Sequence, residues 1–321
     1  MMLMTLKKKR KILFITKNWE NGIERNTYYL TKELKKYVDI RTWEEDGNIS
    51  ETIQKMNFQP DFILVNDLRP TRSPKVTGLK DCNIPFGIIM HDLNYQMDQR
   101  RAFIKENNVK YIFTHYRDTF LEWYPEFKDK MIWFPHYVNI DVFKDFKQPK
   151  TIDYLMMGAV HPTVYPLRQK ILDQMKNLSN FTYHAHPGYF HQQYDERSFK
   201  VASSFAQELN KAKMFFTCDS IYHYPVMKYY ETLACNTLLL AACTKEIKDL
   251  GFIPGVHFIE INEENFMRKA KYHLRNYETL GKKIALNGYK MVRKKHSVQV
   301  RAQQLLAHIE EILAKEGGNE Q

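Results

Sequence analysis

The sequence predicts an α/β fold of two doubly wound domains in tandem. Three observations carry that expectation. Strands of almost unbroken apolar residues alternate with helices of 3.6-residue apolar period, the pattern of parallel sheets covered on both faces. The alternation stops near residue 134, crosses a joint at 134–150 and restarts near residue 153. A chain of 321 residues also exceeds what one core usually organises.

In the first domain, residues 11–16 (KILFIT) give a buried strand. Residues 23–36 follow as a helix with Ile23, Tyr29, Leu30 and Leu34 on one face. Next come a strand at 38–43, a helix at 49–56 and a strand at 61–66 (DFILVN). Asn83 and Pro85 turn the chain into a strand at 86–90 (FGIIM). A helix at 95–106, a strand at 111–114, a helix at 118–123 and a strand at 131–134 complete the series. In the second domain, 153–158 (DYLMMG), 181–185 and 213–217 are strands, with helices at 165–176 and 198–210 between them. Three helices, 262–275, 277–294 and 298–314, close the chain, and 315–321 is a polar end expected to fray. The crossovers are expected to be right-handed.

Composition sets the class. Hydrophobic residues at 44% with aromatics at 14% describe a globular chain. No run of roughly 18 apolar residues is present, so no membrane-spanning helix is expected. The start, MMLMTLKKKRK, has a basic cluster but no long apolar run behind it, so no secretory leader is expected and residues 7–11 are a solvated lead-in. Cys82, Cys218, Cys235 and Cys243 have no metal spacing, and Cys235 and Cys243 stand in apolar surroundings that suit buried thiols. A reducing cytoplasm is the simplest compartment. The net charge of +11 favours anionic partners: nucleotide phosphates, an anionic polymer, a membrane surface or nucleic acid. The basic residues are spread along the chain, without an Arg-rich stripe or zinc-finger spacing, which counts against sequence-specific nucleic-acid binding. The absence of Gly-x-Gly-x-x-Gly and Walker sequences counts against a dehydrogenase or P-loop enzyme, and no Gly-x-Ser-x-Gly nucleophile turn is present.

The most informative stretch is 223–261, HYPVMKYYETLACNTLLLAACTKEIKDLGFIPGVHFIEI. Pro225 suits the first turn of a helix. Val226, Tyr229, Tyr230, Leu233 and Ala234 make an apolar stripe, and Asn236 can take the left-handed position that stops it. Residues 237–243 are a strand covered on both faces, then a short helix leads to a strand at 257–261. Lys228 and Glu231, three apart, share one side of the apolar helix. A base and an acid beside a helix N-terminus suit a phosphate and a sugar hydroxyl.

This stretch resembles the donor-binding segment of glycosyltransferases of the GT-B fold, nearest the retaining family-four-like and spore-maturation-type groups. Those chains carry Pro-x-Lys-x-x-Glu-x-Leu-Ala-x-Gly, a buried strand, an acidic short helix and a Gly near the next strand. Here Pro225 (displaced by one), Lys228, Glu231, Leu233, Ala234, Glu246 and Gly255 match, with Asn236 in place of the Gly. His223 stands where the family has an acid, eight residues before Glu231. The joint, 134–150, is similar to the family's Pro-x-Gly-Val-Asp-x-x-x-Phe through Pro135, Val138, Asn139 and Phe143, with Tyr137 for the Gly. Ala285, Gly288, Tyr289 and His296 resemble the family's close, after which the last helix packs back on the first domain.

The resemblance implies an acceptor domain at 1–140, a donor domain at 141–296, the helix at about 297–315 returning to the first, and a cleft where the domains face each other. It implies a hexosyltransferase that moves a sugar from a nucleotide-diphosphate donor such as a UDP-sugar to a hydroxyl acceptor. Glu231 would grip the ribose hydroxyls, a task a carboxylate suits because it accepts two hydrogen bonds at once. Lys228 would face the diphosphate. Arg168 opens a helix in MGAVHPTVYPLRQKIL behind Gly158, where a doubly wound domain binds ligand, and would offset charge on the departing nucleoside diphosphate. His223 and Tyr224 would line the donor pocket, and Asn21-Gly22 would approach the acceptor. His91 and Asp92 follow a strand directly. His91 is expected to contact the ligand, and Asp92 is either a general base on the acceptor or a helix cap. His184 and His186, alternating on a strand, look like a metal pair, but a strand end with a Pro-Gly turn explains them better. No metal and no cofactor beyond the nucleotide sugar is expected. The acceptor, an anionic polymer or a small molecule, is not specified. A DNA-modifying glycosyltransferase, a non-catalytic nucleotide-sugar sensor and a sugar-phosphate epimerase on the same fold remain as alternatives.

Overall fold

The computed structural model describes residues 9–189 and 193–318. Lys7 and Lys8 of the basic lead-in and residues 319–321 of the polar end lie outside these. The chain divides into two compact units. One takes the chain up to Asn18, Tyr28–Pro135 and the chain from Arg301 on; the other takes Trp19–Thr27 and His136–Val300.

The first unit is built from β1 (Lys11–Ile15), most of α1 (Asn26–Leu34), β2 (Asp39–Trp43), β3 (Gly47–Asn48), α2 (Ile49–Met56), β4 (Phe62–Asn66), β5 (Val76–Thr77), β6 (Phe86–Met90), α3 (Met97–Glu106), β7 (Tyr111–Thr114), α4 (Arg117–Trp123) and β8 (Met131–Trp133). Its main sheet has the order β2-β1-β4-β6-β7-β8, parallel throughout. Every residue of β4 is buried, as unbroken apolar sequence requires of an inner strand. Asn48 caps α2 by accepting from Ser50 N at 2.9 Å, and Asn57, at φ 45°, ends it in the left-handed region.

The second unit holds β9 (Ile152–Gly158), α5 (Pro166–Met175), β10 (Phe181–Ala185), α6 (Ala202–Lys211), β11 (Ala212–Phe216), α7 (Lys228–Ala234), β12 (Leu238–Ala241), α8 (Lys245–Asp249), β13 (Ile259–Glu260), α9 (Phe266–Arg275) and α10 (Lys282–Lys295), before α11 (Val298–Gly318). Its sheet, β10-β9-β11-β12-β13, is again wholly parallel. Two Rossmann-like parallel sheets are therefore present, as expected.

Several expectations are corrected. The helix expected at 23–36 starts at Asn26, because Arg25 is drawn to Glu196 (2.5 Å) and the Tyr194 carbonyl (3.1 Å). For the same reason Asn21 and Gly22, expected with the acceptor domain, fall in the second unit, where Tyr194 N donates to Asn21 O at 2.8 Å. The helix expected from 198 starts at Ala202, since Asp195 organises a turn through Ser198 and Phe199. Pro225 lies in the loop before α7, not in its first turn; Val226 N closes a tight turn on Tyr224 O at 2.8 Å. Cys235 is buried, but Cys243, two residues past the end of β12, is half-exposed. The last helix does not fray at 315, because Glu316 takes Lys110 (2.9 Å) and the Tyr111 hydroxyl (2.6 Å). The two-residue pair β3–β5 is too short to leave a sequence pattern.

Candidate functional site

In the second unit the strand order reverses between β9 and β11, so the crevice outside their carboxyl ends is the place where such a sheet takes ligand. Arg168, from the first turn of α5, spans it. One terminal nitrogen donates to Ala159 O at 3.2 Å. The other donates to the Thr217 hydroxyl at 3.0 Å and Cys218 O at 3.4 Å, and the guanidinium stacks on Tyr165 at 4.0 Å. The side chain is 3% exposed, and its Nε has no hydrogen-bond partner among the described residues.

Lys228 opens α7 and reaches the same place. Gly158 has φ +119°, and a Cβ there would lie 2.9 Å from Lys228 Cε and 3.2 Å from its Nζ, with Arg168 3.9 Å away. Only a glycine admits both the backbone conformation and the lysine. Burial, then Arg168, push the Lys228 pKa down, while Glu231 acts against them. Glu231 is 8% exposed; burial holds its carboxyl well above the usual range, opposed by Lys228. Neither the Lys228 ammonium nor the Glu231 carboxyl makes a hydrogen bond or ion pair of 4.0 Å or less among the described residues. A buried arginine, a half-buried lysine and a buried acid thus converge on one strand end with hydrogen-bonding capacity to spare.

Two further residues come into this group. Glu24, in the Trp19–Thr27 segment, adds to the upward push on Glu231, and Asn26 of that segment donates to Met227 Sδ at 3.1 Å. His186 does not pair with His184. β10 ends at Ala185, so the two rings part: His184 meets Glu208 at 2.9 Å, whereas His186 Nδ1 accepts from Gly188 N at 3.0 Å. Burial, Lys228 and Arg168 push the His186 pKa down to about 4, so it is neutral near pH 7 with its proton on Nε2. The alternation in HAHPG concealed this, because one residue of drift past a strand end reverses a side chain.

The remaining donor-side candidates divide. Tyr224 is buried, with its N–H on Asp219 O at 2.8 Å. His223 is turned outward, its side chain 74% exposed and its Nδ1 2.8 Å from Asp219 Oδ2. The left-handed φ of 57° at His223 and 66° at Ser220 fold the loop back and swing that ring to solvent.

In the first unit the order reverses between β1 and β4, and a buried polar chain marks that position. Asn66 donates to the Thr16 hydroxyl at 2.9 Å and its carbonyl lies 2.8 Å from His91 Nε2. His91 sets its ring at 4.7 Å from His115, edge to face. Burial pushes the His115 pKa down to about 4 while its Nδ1 donates to Phe134 O at 2.6 Å. Asp92, the expected general base or helix cap, caps nothing: α3 begins at Met97, and the carboxylate is held by Arg69 at 2.9 Å, itself stacked on Tyr95. Among the described residues no group of three or more His, Cys, Asp or Glu side chains could hold a metal ion, and no helix is long and apolar enough to cross a membrane.

Residues 168–307 match the family described as Glycosyl transferase-like. No curated protein matches the chain. Among solved structures the chain is similar to a glycosyltransferase from Rickettsia africae, at 15% identity over 96% of this chain and 99% of that one, with a TM-score of 0.63. It is similar to HepE from Anabaena solved with UDP-glucose, at 12% identity over 95% and 99% of the two chains, TM-score 0.68. A third is an α-glucosyltransferase solved with UDP and a 13-mer DNA containing a central A:G mismatch, at 11% identity over 94% and 100%, TM-score 0.62. The fold is that of the GT-B glycosyltransferases.

Proposed function

We propose that this protein transfers a hexose from a nucleoside-diphosphate sugar of the UDP type to a hydroxyl acceptor. The observation that carries this reading is the convergence of Arg168, Lys228 and Glu231 on the end of β9 at Gly158. The family match over 168–307 and the similar proteins solved with UDP and UDP-glucose support it.

In this reading the diphosphate lies beside Gly158, whose missing Cβ leaves room for the Lys228 side chain to reach the strand end. Arg168 and Lys228 offset its charge as the sugar bond breaks, and Arg168, already buried and held by Ala159, Thr217 and Cys218, needs little reorganisation. Two cations in that role remove the need for a divalent ion, so transfer is metal-independent. Glu231, as carboxylate, accepts both ribose hydroxyls. Neutral His186 adds one N–H donor. In the first unit, His91 is a ligand contact, poised by Asn66. Asp92 is engaged in an ion pair with Arg69, which favours a retaining reaction over one that needs it as base. Four free cysteines fit a reducing cytoplasm.

Purified protein incubated with UDP-glucose and related UDP-sugars is expected to release UDP, with the rate unchanged by EDTA and the product anomer retained by NMR. No UDP release from any donor, with UDP nevertheless bound, would make the protein a sensor. Interconversion of the free donors would make it an epimerase. The net charge of +11 and the similarity to a protein solved with DNA favour one other acceptor, duplex DNA, which salt-sensitive gel retardation would reveal.

A further inference from the structure

The first unit carries a pocket of about 930 Å³ that the donor chemistry does not use. One wall is Tyr95 with Gln99, Arg100 and Phe103 of α3; the other includes Leu68, Val76 and Leu79 of the 68–80 segment. That volume falls near the top of the roughly 300–1,000 Å³ range of small-molecule sites. The second wall is fixed in place. Lys17 N donates to Arg72 O at 2.8 Å, Ser73 Oγ to Ile15 O at 3.2 Å and Lys75 N to Asp46 Oδ1 at 2.8 Å, and β5 is paired to β3.

The polar groups around the pocket point to its ligand. Arg100 is 1% exposed; its terminal nitrogens donate to Asp92 O (2.7 Å) and Asp67 Oδ1 (2.6 Å). Its buried Nε has no hydrogen-bond partner among the described residues. A buried donor without an acceptor is costly, so the Arg100 side of the pocket carries unspent hydrogen-bonding capacity. At the rim Lys75 and Lys80 are exposed, and their ammonium groups make no hydrogen bond or ion pair among the described residues. Four cations (Lys17, Lys75, Lys80, Arg100) line the pocket against two acids, Asp46 and Glu106.

We propose that this pocket binds an amphipathic anion: an apolar ring or chain seated on Tyr95 and Phe103, bearing a phosphate or carboxylate that meets Lys75 and Lys80. Resting on the glycosyl-transfer reading, the inference names the acceptor class as an amphipathic, anionic alcohol rather than a plain sugar.

Calorimetric titration of the full chain with 1-naphthyl phosphate and octyl phosphate tests it, with 1-naphthol and inorganic phosphate as controls. At least one organic phosphate is expected to bind about tenfold or more tightly than either control, a difference of ~1.4 kcal/mol. The tighter of the two tells ring from chain. Gln99→Trp, which fills the mouth from an exposed position, and the Lys75→Glu/Lys80→Glu pair are each expected to lower that affinity about tenfold while leaving UDP binding intact, which also reports that they fold. Equal binding of naphthol and naphthyl phosphate, or indifference to Gln99→Trp, would overturn the proposal. Organic phosphate binding in a protein that neither binds nor cleaves UDP-sugars would instead overturn the glycosyl-transfer reading and leave the pocket standing.

Discussion

Lys228 and Glu231 were legible in the sequence because a base and an acid on an apolar helix are unusual. Gly158 and Arg168 were legible because they bracket a strand-end loop. What the sequence concealed depends on backbone geometry: the outward swing of His223, the divergence of His184 and His186, and the capture of Asp92 by Arg69. Glu24 entered the site from a loop that carried no motif. The site has a pH signature of its own. Burial raises the Glu231 pKa and lowers that of Lys228, so the interval in which both are charged narrows from both ends. As pH falls through the raised carboxyl pKa, Glu231 gains a proton and loses acceptor capacity. As pH rises through the lowered ammonium pKa, Lys228 loses its charge. UDP affinity is therefore expected to be bell-shaped in pH by calorimetry. Glu231→Gln should flatten the acid limb and Lys228→Met the alkaline limb.

The long, strongly periodic elements were legible, and 49–56, 86–90, 111–114 and 181–185 fall where apolar period placed them. Boundaries drifted where tertiary contacts override local preference, as at Arg25 with Glu196 and at Glu316 with Tyr111. Placement of α7 depends on a neighbour. α10 crosses it at Gly288, where a Cβ would stand 2.5 Å from His257 O and 2.7 Å from Leu233 Cδ2. His296, just past α10, donates from Nε2 to Leu250 O at 2.9 Å and sets its ring against Phe252 and, edge to face, Tyr230 of α7. Gly288→Ala overpacks this contact, which typically costs ~1–3 kcal/mol. A lower melting temperature and weaker UDP binding are expected together, although Gly288 is not proposed to touch the ligand.

At the scale of the whole chain, two units each enclose their own parallel sheet, and the chain passes between them more than once. The segment Trp19–Thr27 belongs with the second unit and the helix from Arg301 with the first. Within the first unit that helix buries Leu305, Ile309 and Ile312 and ties Glu310 to Arg10 at 2.9 Å. The restart of the strand–helix pattern foretold two sheets, whereas the exchange of segments follows from single contacts such as Arg25–Glu196, which periodicity does not encode. The account as a whole depends on nucleotide recognition by the second unit. Calorimetric titration of UDP into the intact protein, Glu231→Ala and His223→Ala tests it most directly. The account predicts binding by the intact protein, a loss of about tenfold or more in Glu231→Ala, in line with ~1.5–3 kcal/mol for hydrogen bonds to a charged group, and little change in His223→Ala. Equal UDP affinity in the intact protein and Glu231→Ala would contradict it.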